Sequence, residues 1–197
     1  MILFRLKACA SVQLIEFEFV SSTHIVSKNE GALSRVRSAI SCSCVMTVPV
    51  IHCSQSFGLV VGDGDDWKFV FSGDTRPCEA LVEAGRGADL VLHEATFDNM
   101  LLEDARDKKH STVSEALSIC DKIGATWAVL THFSQRYPKV VEVTGEGVDG
   151  ARDVVLAFDC MKLTADTICC VSAVASVVNE MFQEEEGKEE SEKIKAT

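Results

Sequence analysis

Short segments in which hydrophobic residues alternate with polar ones, or run together, predict β-strands. Residues 14–20 (LIEFEFV) alternate with a period of two, and residues 45–51 (VMTVPVI) are rich in β-branched side chains. Two apolar runs, 57–61 and 67–71, flank the turn-rich stretch GDGDD, which predicts an antiparallel pair of strands. Two further runs, ADLVLHEA and ATWAVLTH, each lead to a histidine.

Apolar positions spaced by three or four residues predict helices between these strands. The predicted helices cover residues 78–84, 99–107 and 113–123. Thr112 and Glu115 have the spacing of a capping box, which predicts where the third helix begins. Strands that alternate with helices in this way predict a layered α/β domain.

The chain divides by character into four predicted regions. Residues 1–44 carry no chemical motif, and residues 45–163 contain the α/β pattern. Residues 164–182 predict a helix, although they contain several β-branched residues, which are only moderate helix formers. Residues 183–197 predict an acidic, disordered tail.

Composition narrows the classes of function. The formal net charge of −11 argues against a general nucleic-acid-binding surface, because lysine and arginine supply most of that affinity. The argument is weaker than the number suggests, since residues 184–190 hold five of the glutamates within the predicted tail. Nine cysteines without a CxxC pair predict reduced thiols in an intracellular protein. No apolar run reaches the roughly 18 residues of a membrane span, so we expect no membrane partner.

Polar residues cluster where the predicted strands end, which is where α/β sheets place functional groups. They are His52, Asp74, His93, Glu94 and His132, together with His110 before the third predicted helix. Each has an ordinary explanation alone, because a histidine after a strand is commonly a hydrogen-bonded residue and an aspartate commonly closes a turn. Imidazole, carboxylate and imidazole at successive strand ends are nevertheless suitable ligands for zinc. His93 is predicted to face the sheet as a structural residue.

Five segments in order resemble the C-terminal motifs of ribonuclease Z, in the metallo-β-lactamase superfamily. They are VIHCSQSFG, FSGDTRPC, HEATF, KHST and THFSQRYPK. The resemblance covers residues 48–159, and FSQRY and GDTRPC are similar to the long, eukaryotic-type form. It implies the C-terminal half of an αβ/βα sandwich. It also implies a zinc-dependent endoribonuclease that trims the 3′ ends of precursor tRNA, inside the cell in the nucleus, the mitochondrion or both.

The resemblance also implies a role for each matching residue. His52 matches a terminal ligand of the first of two zinc ions, Asp74 the carboxylate bridging both, and His132 a terminal ligand of the second. Glu94 and His110 match the pair in which the carboxylate orients the imidazole that protonates the leaving 3′-oxygen. A helix N-terminus disfavours the imidazolium and a carboxylate favours it, so two opposing influences act on His110. The candidate phosphate contacts are Ser134, Arg136 and Tyr137.

The family's main zinc signature, HxHxDH, does not occur in the sequence. By the family pattern each zinc would receive two ligands from this chain, where a catalytic zinc normally has three from the protein. We therefore expect a fragment that is inactive alone. Residues 1–44 are also too few to rebuild the second sheet of the sandwich. We expect apolar strand faces to be uncovered and to bind the missing N-terminal half or a homologous chain.

Two other interpretations remain open at this point. The chain could be another hydrolase of the superfamily, acting on a different phosphodiester or ester. HEAT followed by HST favours ribonuclease Z over that interpretation. It could also be a non-catalytic module that pairs with a full-length homologue or holds RNA passively. Zinc content and cleavage of precursor tRNA distinguish these interpretations.

Overall fold

A computed structural model describes residues 4–6, 15–17, 42–64, 66–134, 153–157, 161–164 and 167–171. Two short strands, β1 (Phe4–Leu6) and β2 (Ile15–Phe17), form an antiparallel pair. Strand β2 lies inside the alternating segment that predicts a strand. Residues 167–171 are helical and belong to the predicted helix 164–182. The rest of that helix and the predicted acidic tail lie outside the described residues.

The main structure is a mixed sheet of six strands, whose order in the sheet follows their order along the chain. Strands β3, β4 and β5 pair antiparallel, as the GDGDD turn predicts for the last two, whereas β5, β6, β7 and β8 pair in parallel. The strands are β3 (Cys44–Pro49), β4 (Phe57–Asp63), β5 (Trp67–Phe71), β6 (Leu90–Glu94), β7 (Trp127–Thr131) and β8 (Asp153–Leu156).

Within the described residues, three α-helices and a 3₁₀ helix connect these strands. They are α1 (Glu79–Gly85), the 3₁₀ helix Asn99–Leu101, α2 (Leu102–Lys108) and α3 (Val113–Ile123). Helix α3 has the predicted bounds, and both hydrogen bonds of its capping box are present. The predicted helix 99–107 is instead divided, because the Asp98 side chain caps a separate 3₁₀ turn before α2. None of the helices in the described ranges is both long and apolar enough to cross a membrane.

The sheet has an apolar cluster on each face, as the period-two alternation of strand side chains requires. On one face Val70, Val91 and Ala128 belong to a cluster with residues of α1 and α3. On the other face the strands contribute Phe69, Leu90, Leu92, Val129 and Val155, which cluster with Leu163 and Ile168.

The expectation of an uncovered apolar face is wrong for the described strands. Phe69, Leu90, Leu92, Val129 and Val155 are each at most 4% exposed. The physical reason is that the chain after β8 returns to this face, where Leu163 and Ile168 are buried among the strand side chains. The two described layers of side chains therefore cover both faces of the sheet around the functional loops.

Candidate metal and acid–base site

Five of the predicted site residues meet at one end of the sheet. His52 lies in the loop from β3 to β4, Asp74 follows β5, Glu94 ends β6, His110 precedes α3, and His132 follows β7. Ligand atoms of His52, Asp74 and His110 all lie within 4.8 Å of one another, and so do those of Glu94, His110 and His132. The ring of His110 lies between the others, with its centroid 4.7 Å from that of His52 and 5.5 Å from that of His132.

A glycine turn after β5 positions Asp74. Gly73 has a φ of +61°, and a Cβ at this residue would lie 2.9 Å from the carbonyl oxygen of Phe57. Only glycine combines this conformation with so close an approach of the backbone. The next residue but one, Thr75, accepts a hydrogen bond from the backbone N–H of Ile51 at 3.0 Å. The turn thus brings Asp74, whose side chain is 44% exposed, beside the loop that carries His52.

A backbone contact fixes the proton position on His52. Its Nδ1 lies 2.8 Å from the carbonyl oxygen of Lys109. Because a carbonyl can only accept, Nδ1 must carry the proton, and the Nε2 lone pair is left for another partner. Histidines that bind metals commonly show this arrangement, in which the second ring nitrogen donates to an oxygen of the protein.

Glu94 is buried, and protein donors occupy its carboxylate. Oε1 accepts from the backbone N–H of Thr75 at 2.8 Å and from His110 Nδ1 at 2.9 Å. Oε2 accepts from the backbone N–H of Thr96 at 3.1 Å and from its hydroxyl at 2.7 Å. An ionised carboxylate has about four acceptor positions, so these donors fill it. Glu94 is therefore suited to orienting other groups and not to binding an ion itself.

His110 contacts Glu94 in a way that defines its free nitrogen. Since Nδ1 donates to the carboxylate, Nε2 is the atom that can exchange a proton or bind an ion. The side chain of His110 is 15% exposed, compared with 2% for Glu94. A carboxylate behind an imidazole serves general acids and metal ligands alike, and His110 is near ligand atoms of both groups.

His132 is held in an uncommon backbone conformation. Its φ is +63°, in the left-handed region that costs energy for residues other than glycine. Its Nδ1 lies 2.7 Å from the Thr96 hydroxyl and 3.8 Å from Asp74 Oδ1. The half-exposed ring therefore lies beside the predicted bridging carboxylate.

His93 lies away from this cluster, as the sequence predicts. It is fully buried, and its Nδ1 donates to the carbonyl oxygen of Glu94 at 2.6 Å. Burial lowers the pKa of His93 below its usual value, although the contact with Glu94 acts to raise it. Its imidazole is therefore neutral at physiological pH.

The predicted phosphate contacts are only partly described. The backbone N–H of Ser134 donates to the Thr96 carbonyl at 3.2 Å, so Ser134 lies next to the site. Arg136 and Tyr137 lie outside the described residues.

Two residues of the site, Thr96 and Arg76, are not among the predicted ones. The guanidinium of Arg76 pairs with Glu115 and also donates to the carbonyl oxygen of His110 at 2.5 Å. Both residues stand inside the motif segments HEATF and SGDTRPC. Their place in these segments was a signal in the sequence that they belong to the site. The contacts of Thr96 with His132 and of Arg76 with Glu115 join residues that are distant in sequence.

Residues 20–133 match the beta-lactamase superfamily domain, which is more than half of the chain. The chain belongs to the metallo-β-lactamase superfamily. Within it, the sequence is 40% identical over 149 residues to Ribonuclease Z 1 of Schizosaccharomyces pombe, covering 76% of this chain and 18% of that protein. The predicted resemblance to ribonuclease Z is thereby confirmed.

Other relatives carry related names. The mitochondrial tRNAse Z TRZ4 of Arabidopsis thaliana is 40% identical over 141 residues, covering 66% of this chain and 15% of the relative. Zinc phosphodiesterase ELAC protein 2 of Mus musculus is 44% identical over 117 residues, covering 59% and 14%.

A solved structure supports the fold assignment. The crystal structure of a long-form RNase Z from yeast matches with a TM-score of 0.70 and 32% identity, over 78% of this chain and 22% of that chain. The chain thus spans less than a quarter of the length of the relatives and the structure it matches.

The donor atoms fit part of a zinc site. Zinc prefers imidazole nitrogen, thiolate and carboxylate ligands. His52 and His132 each have Nδ1 within hydrogen-bond distance of a protein oxygen, and Asp74 offers an exposed carboxylate near both loops. In the described residues this set offers three potential ligands besides His110, which is suited to either role.

Proposed function

We propose that the chain is part of a zinc-dependent phosphodiesterase of the ribonuclease Z type, which trims the 3′ ends of precursor tRNA. The observation that carries the proposal is the meeting of a Glu94–His110 pair with three potential zinc ligands at one end of the sheet. A carboxylate–imidazole pair beside metal ligands is suited to hydrolysis with protonation of a leaving group. The printed names of the relatives, ribonuclease Z and zinc phosphodiesterase, support the same chemistry.

His52, Asp74 and His132 are the residues that would hold zinc. His52 and His132 would hold different ions and Asp74 would contribute to both, because its carboxylate has two oxygens, belongs to one group of potential ligands with His52 and lies 3.8 Å from Nδ1 of the His132 ring. Bound zinc polarises a phosphoryl oxygen and makes water a better nucleophile at neutral pH.

His110 is assigned as the proton donor to the leaving 3′-oxygen of the ribose. Glu94 holds Nδ1, so Nε2 carries the proton that is transferred. The same contact fixes the plane of the ring. General acid catalysis of this kind contributes roughly 10²- to 10⁴-fold to a rate.

The isolated chain should nevertheless be inactive. Its 197 residues lack HxHxDH, and the three assigned ligands give each zinc one histidine and a share of Asp74. A catalytic zinc normally has three protein ligands, so two ions would bind weakly here. We propose that activity requires a polypeptide that supplies the missing signature.

We propose that the complemented protein functions in mitochondria, because the Arabidopsis thaliana relative is named as mitochondrial. In it Ser134, Arg136 and Tyr137 would contact phosphate.

The test measures zinc per chain together with cleavage of a precursor tRNA that carries a 3′ trailer. We expect little zinc and no cleavage for the isolated chain, and two zinc ions with trailer removal after addition of a segment containing HxHxDH. A complemented protein that binds two zinc ions but leaves the trailer intact contradicts the tRNA assignment. Cleavage by the chain alone contradicts the proposal that ligands are missing.

A pair of substitutions separates the acid from the ligands in the complemented protein. His110→Ala should reduce the cleavage rate by roughly 10²- to 10⁴-fold with zinc content unchanged. His52→Ala should lower both zinc content and rate. Loss of zinc in the His110 variant would show that His110 is a ligand and not the acid.

A further inference from the structure

Thr96 lies between the two halves of the candidate site. It follows Glu94 by two residues in the loop after β6, and it is 9% exposed. Its hydroxyl oxygen is 2.7 Å from Glu94 Oε2, 2.7 Å from His132 Nδ1 and 3.3 Å from His110 Nδ1. One small hydroxyl therefore contacts the predicted carboxylate, the predicted acid and a predicted zinc ligand.

The chemistry of the partners decides the direction of these hydrogen bonds. The hydroxyl has one proton, and the Glu94 carboxylate can only accept, so Thr96 donates to Oε2. The lone pairs of Thr96 Oγ1 are then available to His132, whose Nδ1 must be the donor. His110 Nδ1 has the closer acceptor in Glu94 Oε1 at 2.9 Å, so its contact with Thr96 is secondary.

We propose that Thr96 is a positioning residue. Its hydroxyl donates to the Glu94 carboxylate, accepts from His132 and so keeps the His132 proton on Nδ1. This arrangement leaves Nε2 of His132 as an unprotonated lone pair. The same carboxylate then orients the acid directly and the ligand through one hydroxyl. The part of the inference that concerns metal binding rests on the proposed function, in which His132 is a zinc ligand.

The backbone around Thr96 shows why the side chain has a separate role. Its carbonyl accepts from the N–H of Ser134, and Ala95 N–H donates to the carbonyl of Thr131, so the main chains of the two loops are already joined. Those bonds do not involve the hydroxyl. Removing the hydroxyl should therefore leave the loops joined while releasing the His132 ring.

The first experiment reads the tautomer of each histidine by long-range ¹H–¹⁵N NMR on the ¹⁵N-labelled chain without metal, with His132→Asn for assignment. In the wild-type chain and in Thr96→Ser, we expect the His132 proton on Nδ1. In Thr96→Val, which has the same shape without the hydroxyl, the signal should move toward the Nε2–H form that an unrestrained imidazole favours. Thr126→Val, at an exposed threonine, is the matched control and should change nothing.

Two outcomes would overturn the proposal. One is an Nδ1–H tautomer that persists in a folded Thr96→Val chain, because the hydroxyl would then not set the proton. The other is loss of that tautomer in Thr96→Ser, because the methyl group and not the hydroxyl would be responsible. The serine variant can still overturn the proposal where the valine variant does not fold.

The second experiment measures the zinc affinity of the complemented protein, in which a segment containing HxHxDH has been added, by competition with a chromophoric chelator. Loss of an outer hydrogen-bond partner of a ligand typically weakens metal binding about 10- to 100-fold, so we expect this change in Thr96→Val and near wild-type affinity in Thr96→Ser. A tautomer change without an affinity change would contradict the assignment of His132 as a ligand, but not the hydrogen bond by which Thr96 sets the His132 proton. An affinity change without a tautomer change would contradict that role of Thr96.

Discussion

At the scale of single residues, two neighbouring polar side chains at the end of β6 are both buried but differ in their partners. Glu94 accepts four hydrogen bonds, whereas the Nε2 atom of His93 has no partner among the described residues. Successive strand residues point to opposite faces. The Glu94 face reaches loops rich in donors, and the neighbours of His93 on its own side, Val91 and Ala95, belong to an apolar cluster.

This burial predicts an acid sensitivity that originates at His93. Burial lowers its pKa in the folded chain, whereas the unfolded value is about 6.5. Between the folded and unfolded pKa values the unfolded chain binds more protons, so the free energy of unfolding falls as the pH falls below about 6.5. The stabilisation is fully present above that pH. One such group changes the free energy of unfolding by at most about 1.4 kcal/mol per pH unit.

Urea unfolding of the wild type and of His93→Leu between pH 5 and pH 8 checks this. The variant lacks the titrating group, so its free energy of unfolding should fall less steeply between pH 6.5 and pH 5 than that of the wild type. Exposed Lys122→Leu serves as a control for the added leucine and should keep the wild-type slope. Parallel pH profiles for wild type and His93→Leu would contradict the assignment.

At the scale of elements, the sequence predicted those helices and strands whose bounds are determined by local signals. Helix α3 begins at the predicted residue because Thr112 and Glu115 cap its first turn. Strand β8 was not predicted, because four residues carry little pattern and the strand is defined by pairing with β7.

The resemblance supplied the five residues that meet in the site. The tie of Thr96 to His132 and the clamp of Arg76 on α3 depend on contacts between distant parts of the chain, which no local pattern shows.

The Arg76 clamp joins three elements around the site. Its guanidinium binds Glu115 in the first turn of α3 and the carbonyl of His110, and its backbone N–H donates to Ile51 beside His52. The pair is mostly buried, with 16% and 22% of the side chains exposed. Burial acts to raise the pKa of Glu115, but the hydrogen bonds from Arg76 and Thr112 outweigh it and hold the pKa below its usual value.

Replacing Arg76 should therefore destabilise the fold measurably. Arg76→Met leaves the Glu115 carboxylate and the His110 carbonyl without this donor, which should cost about 1–3 kcal/mol in the free energy of unfolding. Arg76→Lys should cost less, since it keeps the charge but loses the two-pronged geometry. Urea unfolding at pH 7 provides the measurement.

The control for this prediction is Arg86→Met. Arg86 pairs with Glu83 on the surface, where both side chains are 62% exposed. Exposed ion pairs contribute little to stability, so this change should be nearly neutral. If Arg76→Met is no more destabilising than Arg86→Met, the clamp contributes no more than a surface pair.

At the scale of the whole molecule, the site depends on a sheet that is covered on both faces. The parallel strands β5, β6 and β7 bring Asp74, Glu94 and His132 to one edge, as parallel strands do in other α/β sheets. Helices α1 and α3 cover one face, and Leu163 and Ile168 are buried in the cluster on the other. The chain after β8 therefore contributes to the support of the functional loops although it carries none of the predicted site residues.

Removing one anchor of that cover should test its contribution. Leu163 is 3% exposed within the second cluster, and truncation of a buried leucine to alanine typically costs about 2–5 kcal/mol. We expect urea unfolding to show that Leu163→Ala lowers the free energy of unfolding by this amount. Because the variant loosens the cover of Phe69, Leu92 and Val129, it should also self-associate more strongly in sedimentation velocity. Met100 is 91% exposed, so the control Met100→Ala should leave both measurements near wild type. Equal behaviour of the two variants would mean that the return of the chain to this face does not stabilise the sheet.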